Sequence, residues 1–151
     1  MTSRGPLHEA WPSLFRIVVG IYWLYFASQK WQGVQWMHGV MDQMARVNPI
    51  PGLHELLVSV VAPNWLPFAL AQAVAETLVA VLLIVGLATR WVGVLGVLLA
   101  TGLALTVAFA VNDDGFRWLY YLGVLVSAQV VVSGPGQFAL SRFGWVPAWL
   151  K

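Results

Sequence analysis

Glu76 is the one acid in a long apolar run from Leu66 to Leu87, and Gln72 lies one helical turn before it on the same face. Arg16 and Lys30 both fall within another apolar run, Pro12 to Trp31. If such a run crosses a bilayer, each charge inside it costs at least ~2.5–3.5 kcal/mol, so it needs a partner or a task. A carboxyl among apolar residues can donate and accept protons, and a guanidinium can hold that carboxylate or an anionic oxygen of a ligand. Arg16, Gly20, Trp23, Ala27 and Lys30 recur at steps of four, three, four and three. That spacing makes a single helical stripe, expected to face protein rather than lipid. Trp23 lies mid-run on the stripe, either as packing or as a flat wall against a ring-shaped ligand. Tyr120, at the start of a later apolar run, reads as an interfacial anchor or a ligand contact. Gln129, deep in that same run, should hydrogen-bond another helix.

The elements that must carry these residues follow from composition. Of 151 residues, 60% are hydrophobic and 9% charged, whereas soluble domains run at about 45–50% apolar and about 25% charged. The surplus apolar surface must face lipid, so an all-α integral membrane four-helix bundle is expected, as a single domain over residues 1–151. The spans are read at 12–31, 66–87, 91–111 and 118–133, the last closed by the Gly-Pro-Gly turn at 134–136. Helix rise places Glu76 near the midplane and Arg16 about four residues, or ~6 Å, inside one end. The two alpha carbons then differ by roughly 9 Å in height, which predicts a buried Arg16–Glu76 ion pair. A polar clamp that fixes helix register and a proton or ligand site are both open readings of that pair. Glycines 93 and 96 suggest close helix packing.

The helices within residues 34–62, of about ten to twelve residues each, are too short to span and are expected to be interfacial helices over the outer mouth of the bundle. Trp36, Met37, Val40, Met41, Met44 and Val47 share a helical face there, with His38, Asp42 and Arg46 opposite. A passive connector and a substrate lid both fit that segment. The Lys/Arg bias of the short loops favours an N-in/C-in orientation, with Arg4, Arg90, Arg142 and Lys151 inside. The first span is expected to be retained as an anchor, because Arg16 interrupts it and no cleavage signal follows.

Several chemistries are excluded. The chain has no Cys, and hence no disulfide, thiol nucleophile or Cys-held iron–sulfur cluster. His8, His38 and His54 lie outside the spans, so no intramembrane histidine pair can hold a haem. The set His38, Asp42, His54 and Glu55 matches no metal-binding spacing, and no metal site is expected from it. The eight basic residues are scattered, which argues against nucleic acid as a partner.

Three segments carry a family resemblance: "FRIVVGIYWLYFASQKW" with Arg16, Gly20 and Lys30, "AETLVAVLLIVGLATRW" with Glu76, Gly86 and Arg90, and "GPGQFALSRF" after the last span. In this pattern the chain resembles the DoxX/DoxD-like family of small four-helix membrane proteins. Where members commonly carry an Asp in the final segment, this chain has Ser141. The resemblance implies a bacterial or archaeal cytoplasmic-membrane component linked to quinone and sulfur-compound redox chemistry, like the membrane subunit of thiosulfate:quinone oxidoreductases. It implies a non-covalently bound quinone, a small anionic sulfur compound, and partner redox subunits or a second copy of the chain. On that reading Glu76 exchanges the quinone's proton, Arg16 holds Glu76 or an anionic quinone oxygen, and Lys30 attracts the anion. Trp23, Gln72 and Tyr120 then line the ligand. The alternative is a non-catalytic accessory or assembly subunit of a larger respiratory-type complex.

Overall fold

The computed structural model describes residues 6–33, 35–143 and 146–147. Among these residues, all regular structure is helical. Helix α1 spans Pro6–Trp31 and α2 Gln35–Val47, while α3, Pro51–Leu56, continues into a π turn at Leu57–Val61. Then come α4 at Trp65–Val85, α5 at Thr89–Leu105, the short α6 at Val107–Ala110, and α7 at Asp114–Ser133. Four segments are long and apolar enough to cross a membrane: Ala10–Trp31, Trp65–Val85, Thr89–Ala110 and Asp114–Ser133. The chain is an integral membrane protein with a four-span helical core, as composition predicts.

Two boundaries differ from the sequence expectation for local reasons. Helix α1 begins six residues before Pro12. A proline in the second turn forfeits a single backbone hydrogen bond, close to a helix end where donors are unpaired anyway. Helix α7 begins four residues before Trp118 because Asp113 caps it, its side chain accepting from the Phe116 N–H at 3.0 Å.

The spans pack as antiparallel neighbours, α1 on α4 and α5 on α7, and small residues set how closely they approach. A Cβ at Gly20 would lie 2.7 Å from Ile84 Cγ1 and 3.1 Å from the Ala80 carbonyl oxygen of α4. A Cβ at Gly93 would lie 2.8 Å from Val131 Cγ2 of α7. The predicted stripe on α1 is buried along its length: Arg16, Trp23 and Ala27 are at most 1% exposed and Lys30 is 5% exposed. Gly86, at φ +82°, ends α4 in the left-handed conformation that glycine adopts without strain, and the chain reverses into α5 within four residues.

The stagger of α1 against α4 positions everything that follows. The Trp31 indole N–H donates to Thr77 Oγ1 at 2.9 Å, and α1 ends before it reaches the start of α4. The first turns of α4 run on past it. The vacated volume is roofed by α2, whose Met37, Met41, Met44 and Ala45 are buried against Ala69 of α4 and Ala110 of α6. Side-chain amides pin that roof: Gln43 Nε2 donates to the Ala110 carbonyl at 2.9 Å and Asn48 Nδ2 to the Leu105 carbonyl at 2.8 Å. The Leu105 carbonyl is free because the third span breaks at Thr106, where φ −123° and ψ −76° leave the helical region.

The packing account predicts a contrast between two glycines of α5. Gly93→Val should destabilise the bundle by about 1–3 kcal/mol, the range for overpacking. Gly102→Ala, whose new Cβ meets nothing within 4 Å, should be neutral or slightly stabilising. Unfolding in detergent, followed by circular dichroism, measures both.

Candidate functional site

Lys30, in the last turn of α1, donates to Glu76 Oε2 at 2.5 Å, and Gln72 Nε2 donates to Glu76 Oε1 at 3.1 Å. The two charged side chains are 6% and 0% exposed. Both carboxylate oxygens are thus bonded, as a charge far from water requires. Glu76 is the twelfth residue of the crossing segment Trp65–Val85, while Lys30 is the last but one of Ala10–Trp31.

This corrects one sequence expectation: Arg16 does not pair with Glu76. Aligning the ends of the two spans put Arg16 within roughly 9 Å of Glu76 in height, but the observed stagger sets Glu76 beside Lys30, fourteen residues or ~21 Å along α1 from Arg16. Arg16 instead closes the opposite end of α4. Its Nη1 donates to the Leu83 carbonyl and, at 3.0 Å, to that of Ile84, while Nη2 reaches the Phe138 carbonyl at 3.4 Å. The final carbonyls of a helix have no partners of their own, and in lipid they need donors. A cation there also complements the negative end of the helix dipole. The segment after α7 completes this corner: the Phe138 N–H donates to Ser13 Oγ at 3.0 Å and the Ser141 N–H to the Gly86 carbonyl at 3.2 Å. The buried hydroxyl of Ser141 has no partner among the described residues.

A cavity of about 660 Å³ opens directly beside the Lys30–Glu76 pair. Lys30, Gln72 and Tyr120 line it, together with Phe26 of α1 and Met37 and Met41 of the roof. Glu76 is not in its wall and reaches it through Lys30 and Gln72. Tyr120 is 8% exposed and packs on Phe26, ring centroids 6.0 Å apart, so it faces the cavity and is no membrane-surface anchor. The walls are mostly apolar and aromatic, with a few polar groups among them, the usual build of a small-molecule pocket. Its volume lies within the common range of about 300–1,000 Å³.

Trp23 stands apart from this cavity. Its ring is 1% exposed, and its indole N–H donates to Ser127 Oγ at 3.2 Å, across a gap that Gly96 keeps narrow. Here the packing reading of Trp23 is the one the geometry supports. Gln129 is also corrected: it donates to Ser133 Oγ at 2.9 Å on its own helix, one turn ahead, and stays on an exposed face. An (i, i+4) bond satisfies the amide without a neighbour. Sequence reasoning missed Phe26 and the three roof methionines as cavity residues. The shared helical face of the methionines was the available signal.

With the geometry established, comparison with known families becomes informative. A family model described as DoxX matches residues 12–111, which takes in α1 through α6 apart from the first turns of α1. The chain belongs to the DoxX family. No curated protein and no solved structure matches it. The match contains Arg16, Lys30, Gln72 and Glu76, whereas Tyr120 and the Gly-Pro-Gly turn lie beyond it. In this DoxX-family chain the buried ion pair and most of the cavity wall therefore come from the matched region.

The pair itself makes a sharp prediction. Lys30→Leu or Glu76→Gln alone strands a buried polar group, and breaking such a pair costs about 3–5 kcal/mol. The double variant Lys30→Leu/Glu76→Gln should recover most of that loss, because neither charge remains to be stranded. A double-mutant cycle on unfolding free energy measures the coupling, and additive losses would contradict the pairing.

Proposed function

We propose that this DoxX-family membrane protein holds the ring of a quinone in the cavity beside Lys30 and serves as a quinone-linked redox subunit with an anionic sulfur donor. The observation that supports the reading most directly is the buried Lys30–Glu76 pair at the edge of a cavity of about 660 Å³. A ring lipid reaches such a site from the bilayer, and the residues present suit it: Phe26 and Tyr120 offer ring faces, while Lys30 and Gln72 offer donors for a ring oxygen. When bound, a quinone supplies the redox chemistry, and with thiosulfate the balance is one quinone, two thiosulfates and two protons giving quinol and tetrathionate.

The chain's own residues have distinct parts in this scheme. Lys30 would hold a ring oxygen as a hydrogen-bond donor. Glu76 keeps the Lys30 ammonium directed at the cavity edge and influences protonation through it. Gln72 holds the second carboxylate oxygen and fixes the orientation of Glu76. Arg16 has no part in ligand binding, because it is committed to carbonyls at the far end of α4. Under the N-in orientation the cavity lies in the outer half of the membrane, where an anionic donor arrives from outside the cytoplasm.

The purified chain, assayed without oxygen, tests this through thiosulfate-dependent reduction of a short-chain quinone and quenching of tryptophan fluorescence by that quinone. Glu76→Gln should lower turnover by about 10²–10⁴-fold, the usual share of a proton-transfer arrangement. Arg16→Lys should lower the unfolding midpoint yet leave quinone binding intact, since lysine cannot reproduce the fork to separate carbonyls. Absence of both quenching and turnover in a folded sample would contradict the proposal and favour the accessory-subunit reading.

A further inference from the structure

Unpaired polar atoms gather at the end of the bundle opposite the cavity. Among the described residues, four buried side-chain nitrogen or oxygen atoms have no hydrogen-bond partner: Arg16 Nε, Thr89 Oγ1, Ser141 Oγ and His54 Nδ1. The first three belong to residues at most 2% exposed, and all three residues sit around the reversal from α4 into α5. A Cβ on Gly86 would lie 2.7 Å from Arg16 Cζ, the carbon that bears Nε, and 2.8 Å from the Cα of Ala139, two residues before Ser141. The Ser141 N–H donates to the Gly86 carbonyl at 3.2 Å, and Thr89 opens α5 three residues after Gly86.

Charge points the same way independently. Among the described residues Arg16 has no ion pair, and its bonds run from Nη1 and Nη2 to neutral carbonyls. A buried charge is costly unless an opposite charge accompanies it. The unpaired groups suit an anion: the Nε–H can only donate, and the two hydroxyls can rotate to donate. The positive start of α5, a helix of 17 residues, favours negative charge, while Arg16 already covers the negative end of α4. Exposed Arg90 and Arg142, next in sequence to Thr89 and Ser141, draw anions to this end. Room is scarce where not even a Cβ fits at Gly86, so the ion is small, and one negative charge balances one guanidinium.

We propose that Arg16 Nε, Thr89 Oγ1 and Ser141 Oγ bind one small monovalent anion of the halide class, which ties the start of α5 and the segment after α7 to α1. The inference does not rest on the quinone reading, since none of these residues lines the cavity.

Chloride is the probe. The purified chain is unfolded by heat in detergent and followed by circular dichroism, with chloride replacing gluconate at constant ionic strength. The midpoint should rise with chloride and continue to track its concentration, as binding to the folded state alone requires. Equilibrium dialysis with radioactive chloride should count one ion per chain. Ser141→Ala and Thr89→Ala remove hydroxyls that have no protein partner. Each should therefore keep the parent midpoint in gluconate while weakening chloride binding by about tenfold or more, the worth of a hydrogen bond to a charged group. Ser141→Asp carries its own carboxylate, so its midpoint should no longer respond to chloride. A folded parent chain indifferent to chloride would assign these atoms to bound water and overturn the proposal. Chloride binding undiminished in both alanine variants would place the ion elsewhere and overturn it equally.

Discussion

Two opposite charges held 2.5 Å apart inside an apolar helical bundle leave the surrounding helices little freedom. Lys30 must stay within reach of Glu76, since a stranded charge at that depth is among the most expensive errors a membrane protein can contain. That requirement fixes the sliding position of α1 on α4. Gly20 permits it, because only a residue without a Cβ lets α1 approach the backbone at Ala80 and Ile84 so closely. Because the pair lies at the last turn of α1, the helix stops short of the start of α4, and the upper part of its expected path is left vacant. Roof, cavity and site all follow from that early stop.

A second constraint runs through the structure wherever a helix ends or breaks in an apolar setting. Backbone carbonyls at those points need donors, and long polar side chains provide them. Arg16 does so for the end of α4, Asn48 for the break at Leu105, and Gln43 for the end of α6. Arg117 adds Nε to the Ala108 carbonyl at 3.0 Å and Nη2 to the Val111 carbonyl at 2.9 Å. Much of the scarce polarity in this chain is thus used on backbone, and what remains unabsorbed stands out. Lys30, Glu76 and Gln72 instead bond one another, and Tyr120 faces the same cavity.

The spans, the buried stripe on α1 and the polar face of α4 were legible in the sequence because hydrophobic periodicity reports them directly. So was the face of α2 that carries Met37, Met41 and Met44. The partner of Glu76 was not, because it depends on the stagger between two helices. Stagger is set by where α1 begins, by Gly20 and by the end of α1 beside Thr77, none of which the length of an apolar run reveals. Gln129 misled for a different reason: Ser133 one turn away gave it a partner without tertiary contact. The cavity was invisible in principle, since it is the volume left by a helix that ends early.

The most direct measurement is photocrosslinking of a quinone bearing a photoreactive group on its ring to the membrane-embedded chain, with the modified residues mapped by mass spectrometry. The account predicts labels on α2 between Trp36 and Met44 and on the facing turns of α5 around Leu99 to Leu103, lost when excess unlabelled quinone is present. Labelling confined to the Arg16 end of the bundle, or spread over the lipid-facing surface without competition, would contradict it.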